Sequence, residues 1–239
     1  MDAHSREPAA KFYAVAYALP GGAYDMYQER LRRVASGRRV LEYGCGTGGY
    51  SFQLAEAGAD VTGVDISPVA VERARETARR ERFDERVSFA VMDCERLELE
   101  DRSFDVVCGD AILHHLDLRK AYAEISRVLK EDGTAVFIEP LGHNPLINLY
   151  RRRTPELRTR DEHPLRIGDV EMAKQFFASV ETHFCNLLSL AAVPLRNSSL
   201  FTPVAARLRA LDSRLFRAVP WLRKHAWMVL VTMREPVAA

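Results

Sequence analysis

Residues 40–49 read VLEYGCGTGG, an apolar run ending at Tyr43 that leads into four glycines. The run is typical of a buried strand, and glycines after a strand are typical of a tight turn that opens a helix. Glycine lets the backbone turn sharply and pass close beside a ligand. The pattern Gly44-x-Gly46-x-x-Gly49 alone fits two classes of nucleotide-bearing cofactor, so the neighbouring residues must separate them.

Strand and helix patterns alternate on both sides of this turn. Ser67-Pro68 is a helix-opening pair, Asp117 is a helix cap, and Gly133 is expected to close a helix in the left-handed conformation. The predicted strands are 39–43, 60–65, 87–92, 104–108 and 135–139, and the predicted helices are 50–57, 69–82 and 118–129. This alternation predicts an α/β fold with a doubly wound, Rossmann-like parallel sheet and helices on both faces.

The pattern changes after residue 140. Residues 140–170 are rich in proline and charge and are interpreted as a substrate lid or insertion. Helices are expected near 169–178 and 200–224, and two late strands near 180–189 and 226–233. No internal repeat or linker is present, so we expect one domain over residues 1–239. Its expected parts are N-terminal cap helices (1–36), a cofactor-binding core (37–140), the lid (141–170) and a C-terminal part (171–239).

Three carboxylates follow or end the first three predicted strands. Glu42 stands at the tip of the first strand, Asp65 ends the second, and Asp93 follows the third. The carboxyl ends of parallel strands share one edge of the sheet, where open α/β sheets bind ligands. At that edge Glu42 can face an α-amino group, Asp65 can accept both ribose hydroxyl protons, and Asp93 can meet the adenine amine.

Five motifs carry a family resemblance. They are VLEYGCGTGG (40–49), VDIS (64–67), MDC (92–94), FDVVCGDAILHHL (104–116) and ISRVLKEDG (125–133). In this order and spacing they resemble class I S-adenosylmethionine (SAM)-dependent methyltransferases, in the branch that methylates small molecules, quinone precursors and lipids. The resemblance covers residues 38–140. It implies a seven-stranded sheet, mostly parallel, with the last strand antiparallel.

The resemblance also implies a set of cofactor contacts, with S-adenosylhomocysteine as the product. Tyr13, in the N-terminal segment, would close over the methionine end of SAM. The other implied contacts are Glu42, Gly44, Cys45, Gly46, Thr47, Gly48, Asp65, Ile66, Asp93, Cys94, Gly109 and Asp110.

Composition and missing motifs exclude several other functions. The net charge of +1 argues against a nucleic-acid partner, and the four cysteines show no zinc-binding spacing, so no metal is expected. No Asp/Asn-Pro-Pro-Tyr follows the fourth strand, which argues against methylation of a nucleobase amine. A Tyr-x-x-x-Lys pair, typical of short-chain dehydrogenases, is also absent. No secretory signal or membrane-length apolar run is seen, so a cytoplasmic protein is expected.

A general base is needed where the acceptor keeps its proton near neutral pH. The candidates beyond the fourth and fifth strands are His114 and His115, of which His115 is preferred, followed by Glu139, His143 and His163. The expected reaction is methyl transfer to a small or lipid-like acceptor, with oxygen slightly preferred over nitrogen or carbon. A nucleotide-dependent oxidoreductase and a SAM-binding subunit without catalytic activity are the alternatives.

Arginines suggest features of the acceptor. Residues 151–166 hold six arginines, including Arg160, and guanidinium groups suit phosphate and carboxylate, so the acceptor can be anionic. The amphipathic segment 200–224 carries further arginines, and peripheral contact with a membrane is left open. Solvated helix faces are the alternative explanation for the first cluster. For segment 200–224 the alternative is a helix that buries its apolar face in its own domain.

Overall fold

The computed structural model describes residues 19–155 and 162–237. Seven strands in these residues form one sheet with the order β3-β2-β1-β4-β5-β7-β6. Their bounds are β1 Arg39–Tyr43, β2 Asp60–Asp65, β3 Val87–Val91, β4 Phe104–Asp110, β5 Leu129–Pro140, β6 Phe177–Cys185 and β7 Met228–Pro236.

Strand direction follows the predicted doubly wound scheme. The pairs β1–β2, β1–β4, β2–β3 and β4–β5 are parallel, whereas β7 runs antiparallel to both β5 and β6. The last strand is therefore the antiparallel one, and the predicted fold class is confirmed. The strand order reverses between β1 and β4, and ligands bind at such a switch point in open α/β sheets.

Helices cover both faces of the sheet. One apolar cluster joins the sheet to the first three helices through Leu31, Leu54 and Val71, and the other uses Ile125 and Val170 on the opposite face. The helices are α1 Ala23–Ala35, α2 Gly49–Glu56, α3 Pro68–Glu81, α4 Leu118–Val128, α5 Pro145–Arg153, α6 Ile167–Met172 and α7 Phe201–Ala218. Four 3₁₀ helices span Leu113–His115, Ala173–Gln175, Leu188–Leu195 and Pro220–His225 in the described residues.

Both predicted helix caps are present. The Ser67 hydroxyl accepts the Ala70 N–H before Pro68 begins α3. The Asp117 carboxylate accepts the N–H groups of Arg119 and Lys120 at the start of α4. Each cap satisfies backbone donors that have no partner inside the helix.

Gly133 does not close a helix, so that expectation was wrong. Helix α4 ends at Val128, and the following strand begins at Leu129, which places Gly133 inside β5. Its φ lies outside the left-handed region. A Cβ on Gly133 would come within 2.7 Å of the Leu129 side chain, so glycine is suited here by close packing rather than by φ.

The segment after β5 is more regular than predicted. Residues 145–153 of the expected lid form α5, with Pro145 in its first turn. The Asn144 amide oxygen accepts the N–H groups of Leu146 and Ile147 at its start. The long helix expected at 200–224 is divided, because α7 stops at Ala218 and Pro220 starts a 3₁₀ helix.

Asp212 joins α7 to the preceding 3₁₀ helix. Its carboxylate is 2% exposed and accepts hydrogen bonds from the N–H groups of Leu187, Leu188 and Ser189 and from the Ser189 hydroxyl. A buried carboxylate is stable only where such donors surround it. Asp212 therefore holds two C-terminal segments in one arrangement.

We expect Asp212→Ala to lower the free energy of unfolding by about 2–4 kcal/mol, because several buried N–H groups lose their acceptor. Urea unfolding measures the difference, and Asp84→Ala, at an exposed position, is the matched control. Equal stability of the two variants would show that water replaces the carboxylate without cost.

Candidate functional site

The register of the sheet brings the carboxyl ends of four strands together. Tyr43, at the end of β1, pairs with Val64 on β2 and with Gly109 on β4. Asp65, the last residue of β2, pairs with Val91, the last residue of β3. The glycine turn, Asp65, the start of the β3–β4 loop and Asp110 therefore lie along one edge of the sheet.

Asp65 holds the glycine turn in place. Its Oδ2 accepts the Gly46 N–H at 2.9 Å, and its Oδ1 accepts the Ser67 N–H at 2.8 Å. Gly44, Gly46 and Gly48 have φ values of 64°, 51° and 87°, a region that other residues rarely adopt. A carboxylate has about four acceptor positions, so Asp65 retains capacity for further donors.

Glu42 is a buried acid beside this turn. Its carboxylate is 4% exposed and accepts a hydrogen bond from the Ser51 hydroxyl on α2. Burial, with smaller contributions from the charges of Asp110 and Asp65, raises the pKa of Glu42 to about 7 against the lowering effect of the Ser51 hydrogen bonds. The carboxyl is therefore poised between its neutral and charged forms near neutral pH.

Asp110 ends β4 in a similar environment. The Tyr24 hydroxyl on α1 donates to its Oδ1 at 2.6 Å. Burial, with a smaller contribution from the charge of Glu139, raises the pKa of Asp110 to about 6. The charge of Asp110 acts on Glu42, and the charge of Glu139 acts on Asp110. These three acids, Glu42, Asp110 and Glu139, are here called the acidic edge.

The remaining predicted cofactor contacts surround the turn. Thr47 and Ile66 are exposed, and Asp93 accepts the Glu95 N–H after β3. The Cys45 and Cys94 thiols are buried, which raises the pKa of each, that of Cys94 to about 12.

The last two predicted cofactor contacts are Gly109 and Tyr13. Gly109 lies in β4, where a Cβ would collide with Phe137 and Ile112. Tyr13 lies outside the described residues.

Glu139 supports the turn after β4. It is fully buried, and its Oε1 accepts the N–H groups of Ile112 and Leu113 at 2.9 and 2.8 Å. Its Oε2 lies 2.8 Å from Nδ1 of His114. A buried carboxylate on one ring nitrogen fixes the orientation of the imidazole and leaves Nε2 as the nitrogen for proton transfer.

A cavity of about 1080 Å³ lies between this turn and the lid. His114, His143 and His163 line it, together with Asp117 and Asp169 and the four arginines Arg119, Arg151, Arg152 and Arg166. The cavity lies next to the acidic edge, because His114 contacts Glu139 directly.

The structure separates the predicted catalytic candidates. His115 stacks on His114 with ring centroids 4.2 Å apart but does not line the cavity. His143 lines it, but its Nε2 accepts the Ile167 N–H, and burial with the nearby Arg166 lowers its pKa. The His163 side chain is exposed at the cavity, and its backbone N–H donates to the His114 carbonyl oxygen.

Sequence reasoning preferred His115 and gave no role to Tyr24 or Ser51. Two adjacent histidines on a short helix look alike in sequence, and the contact between His114 and Glu139 joins residues 25 positions apart. Tyr24 reaches Asp110 across 86 positions. Contacts between residues this far apart in the chain leave no local pattern in the sequence.

No group of three or more His, Cys, Asp or Glu residues in 19–155 and 162–237 is arranged to hold a metal ion. None of the helices in these ranges combines the length and apolarity needed to cross a membrane.

A family model described as a methyltransferase domain matches residues 35–190. The chain belongs to this family. The match includes β1 to β5, the glycine turn, the acidic edge and the lid. Membership confirms the methyltransferase assignment made from the sequence motifs, and SAM as the expected methyl donor agrees with it.

Several named proteins are similar in sequence to part of this chain. A sterol 24-C-methyltransferase of Aspergillus fumigatus is 32% identical over 148 residues, which is 61% of this chain and 38% of the relative. A ubiquinone/menaquinone biosynthesis C-methyltransferase of Geotalea uraniireducens is 35% identical over 111 residues, 45% of this chain and 47% of the relative. The matched regions thus span less than half of these relatives.

Solved structures show the same architecture. Phosphoethanolamine N-methyltransferase 2 of Haemonchus contortus, solved in complex with S-adenosyl-L-methionine, superposes with a TM-score of 0.64 at 23% identity. The match covers 90% of this chain and 53% of the other. At this identity the likeness supports the methyltransferase fold.

The raised pKa of Glu42 predicts a pH dependence of stability. Its ordinary value is 4.5, so between pH 4.5 and about 7 the folded protein holds a proton that the unfolded chain has lost. Stability therefore falls as the pH rises through this window, by up to about 3 kcal/mol from this residue. Urea unfolding at the two ends of the window gives the fall in the free energy of unfolding, and this fall should be smaller in Glu42→Gln than in the wild type. An unchanged slope in the variant would show that Glu42 is charged in the folded protein throughout.

Proposed function

We propose that this chain transfers the methyl group of SAM to a small or lipid-like acceptor bound in the cavity beside His114. The support is the acidic edge together with the glycine turn. SAM supplies an activated methyl group on a positively charged sulfur, so in-line positioning of the acceptor accounts for much of the rate.

The buried acids carry this proposal. Burial and mutual repulsion raise the pKa of Glu42 to about 7 and that of Asp110 to about 6. A ligand that brings positive charge relieves this repulsion, and SAM carries a sulfonium and an α-ammonium group. The negatively charged diphosphate of a dinucleotide would add to the repulsion. The acidic edge therefore favours SAM over NAD at a glycine turn that could otherwise suit either.

The chain's own residues would hold SAM along the edge. Glu42 faces the α-ammonium group, Asp65 accepts the ribose hydroxyl protons, and Asp93 with Cys94 lies at the adenine. Thr47 and Ile66, exposed beside the turn, contact the cofactor from outside. Asp110 and Gly109 would contact the methionine part, and Tyr13 is proposed to close over it.

His114 is the proposed general base. Glu139 binds its Nδ1, so the ring lines the cavity in one orientation. Nε2 then takes the proton that the acceptor loses, while Glu139 acts through His114 as a positioning residue. An imidazole removes a proton from a hydroxyl group more readily than from carbon, which supports an oxygen acceptor. Carbon is the alternative that the names of the two curated relatives favour. His115 and His143 would support this site rather than accept the proton.

The cavity suggests an acceptor with an acidic group. Arg119, Arg152 and Arg166 outnumber the two carboxylates on its wall, even with the buried Arg151 left aside. Guanidinium groups bind carboxylate and phosphate with paired hydrogen bonds. His163 and the lid arginines would contact the acceptor.

Incubation with methyl-labelled SAM and panels of hydroxylated, quinone-like and prenyl acceptors tests the activity directly. Mass spectrometry of the product then shows whether oxygen, carbon or nitrogen carries the label. SAM binding without transfer to any panel would favour the subunit without catalytic activity. Binding of NAD but not SAM would favour the oxidoreductase.

We expect Asp65→Asn to weaken SAM binding by about 1.5–3 kcal/mol, because one hydrogen-bond acceptor for the ribose and the charge are lost. Asparagine retains an acceptor for the glycine turn, which makes it a milder change than alanine. Calorimetry gives the affinity, and Glu76→Gln on the exposed side of α3 is the matched control. Wild-type affinity in Asp65→Asn with a native circular dichroism spectrum would place the ribose elsewhere.

We expect His114→Gln to lower kcat by about 10²–10⁴-fold while SAM affinity is nearly unchanged, because proton removal is lost and the cofactor contacts remain. Glu139→Gln should lower kcat less and shift its pH profile, since Glu139 acts by orienting His114. His115→Gln is the control on the neighbouring ring. A larger loss of kcat in His115→Gln than in His114→Gln would reverse the assignment.

A further inference from the structure

Charge is unevenly distributed along this chain. The whole sequence has 34 basic and 33 acidic residues. Residues 187–225 contain one acid, Asp212, which is buried and accepts three backbone N–H groups and the Ser189 hydroxyl. The same stretch contains seven basic residues, namely Arg196, Arg207, Arg209, Arg214, Arg217, Arg223 and Lys224. Residues 143–153 add three arginines and no acid. These two stretches are therefore positively charged although the protein as a whole is nearly neutral.

Exposed apolar side chains lie within this positive region. On α5, Leu146 and Leu149 are 74% and 40% exposed, and Arg153 follows on the same side at helical spacing. The opposite side of α5 is buried through Ile147 and Arg151. In the last 3₁₀ helix Trp221 is 63% exposed, and the exposed Lys224 follows it. These five residues, Leu146, Leu149, Arg153, Trp221 and Lys224, are called the basic-apolar face.

Hydrogen bonds hold the two parts of this face together. The Asn144 amide, at the start of α5, donates to the His225 carbonyl oxygen at 2.7 Å. Nδ1 of His225 lies 3.2 Å from the His143 carbonyl oxygen. Between the two segments lies a groove of about 570 Å³ with almost entirely apolar walls, formed by Leu146, Tyr150, Leu190, Trp221 and their neighbours.

We propose that the basic-apolar face docks on the surface of an anionic lipid bilayer. Tryptophan prefers the boundary between headgroups and acyl chains, and leucines beside it add apolar area to bury. Arginine and lysine are attracted to anionic headgroups. The face presents both kinds of residue on two segments that are fixed to each other.

The charge of the basic-apolar face favours a membrane over a second copy of this chain as its partner. A twofold interface built on this face would bring Arg153 and Lys224 against the same charges of the partner copy, with no exposed acid in residues 143–153 or 187–225 to pair with them. An anionic bilayer supplies the missing negative charge. The apolar groove would then open toward the acyl chains.

Vesicle binding of the full chain tests the proposal without SAM or an acceptor. We expect co-sedimentation with vesicles of phosphatidylcholine mixed with phosphatidylglycerol, weak binding to phosphatidylcholine alone, and loss of binding as salt is raised. The chain has two tryptophans, and Trp227 is fully buried, so a blue shift of fluorescence on binding reports Trp221. Trp221→Phe should remove that shift.

Charge-reversal variants show whether this face is responsible. Arg153→Glu with Lys224→Glu should reduce binding to the anionic vesicles at least tenfold. Arg79→Glu with Arg80→Glu, at exposed positions of α3, changes net charge equally and should have a much smaller effect. The proposal is overturned if the chain does not bind anionic vesicles, or if both double variants lower binding equally. It is also overturned if sedimentation shows a dimer that Leu146→Ser with Trp221→Ser dissociates while vesicle binding is absent.

Discussion

The burial of several carboxylates at one edge of the sheet is the constraint on which this site depends. Parallel strands end at the same edge, so Glu42 on β1, Asp110 on β4 and Glu139 on β5 are brought together by the topology alone. The chain handles their charges in different ways. Glu139 receives two backbone N–H groups and an imidazole, whereas burial leaves Glu42 with a pKa of about 7. An acid left in this state is suited to a ligand that brings positive charge.

The same constraint links the cofactor edge to the cavity. Glu139 lies near the end of β5 and accepts two backbone N–H groups of the turn after β4, which ties that turn to the sheet. His114 belongs to this turn and lines the cavity. Asp110 precedes the turn and is tied to α1 by Tyr24. The end of β4 therefore connects the methyl donor, the proposed base and the acceptor over a few residues.

Sequence patterns predicted the parts of this arrangement that are determined by residues close together in the chain. The glycine turn, the caps at Ser67 and Asp117 and the alternation of strands and helices follow from short-range chemistry, and the structure has them. The end of α4 was misjudged, because Gly133 is explained by packing against Leu129 rather than by a turn. His114 and Asp212 depend on partners some 25 positions away, which no periodicity reveals. Helix α5 was hidden by the prolines and charges around it.

Proton release on SAM binding tests the central claim most directly. Calorimetry at a pH of about 6.5, in two buffers of different ionisation enthalpy, measures the number of protons exchanged on SAM binding. This pH is chosen because it lies just below the pKa of Glu42, which is about 7. If the cation of SAM neutralises the acidic edge, binding releases a proton in the wild type and releases much less in Glu42→Gln. Binding of SAM with no proton release, or with uptake, would contradict the account.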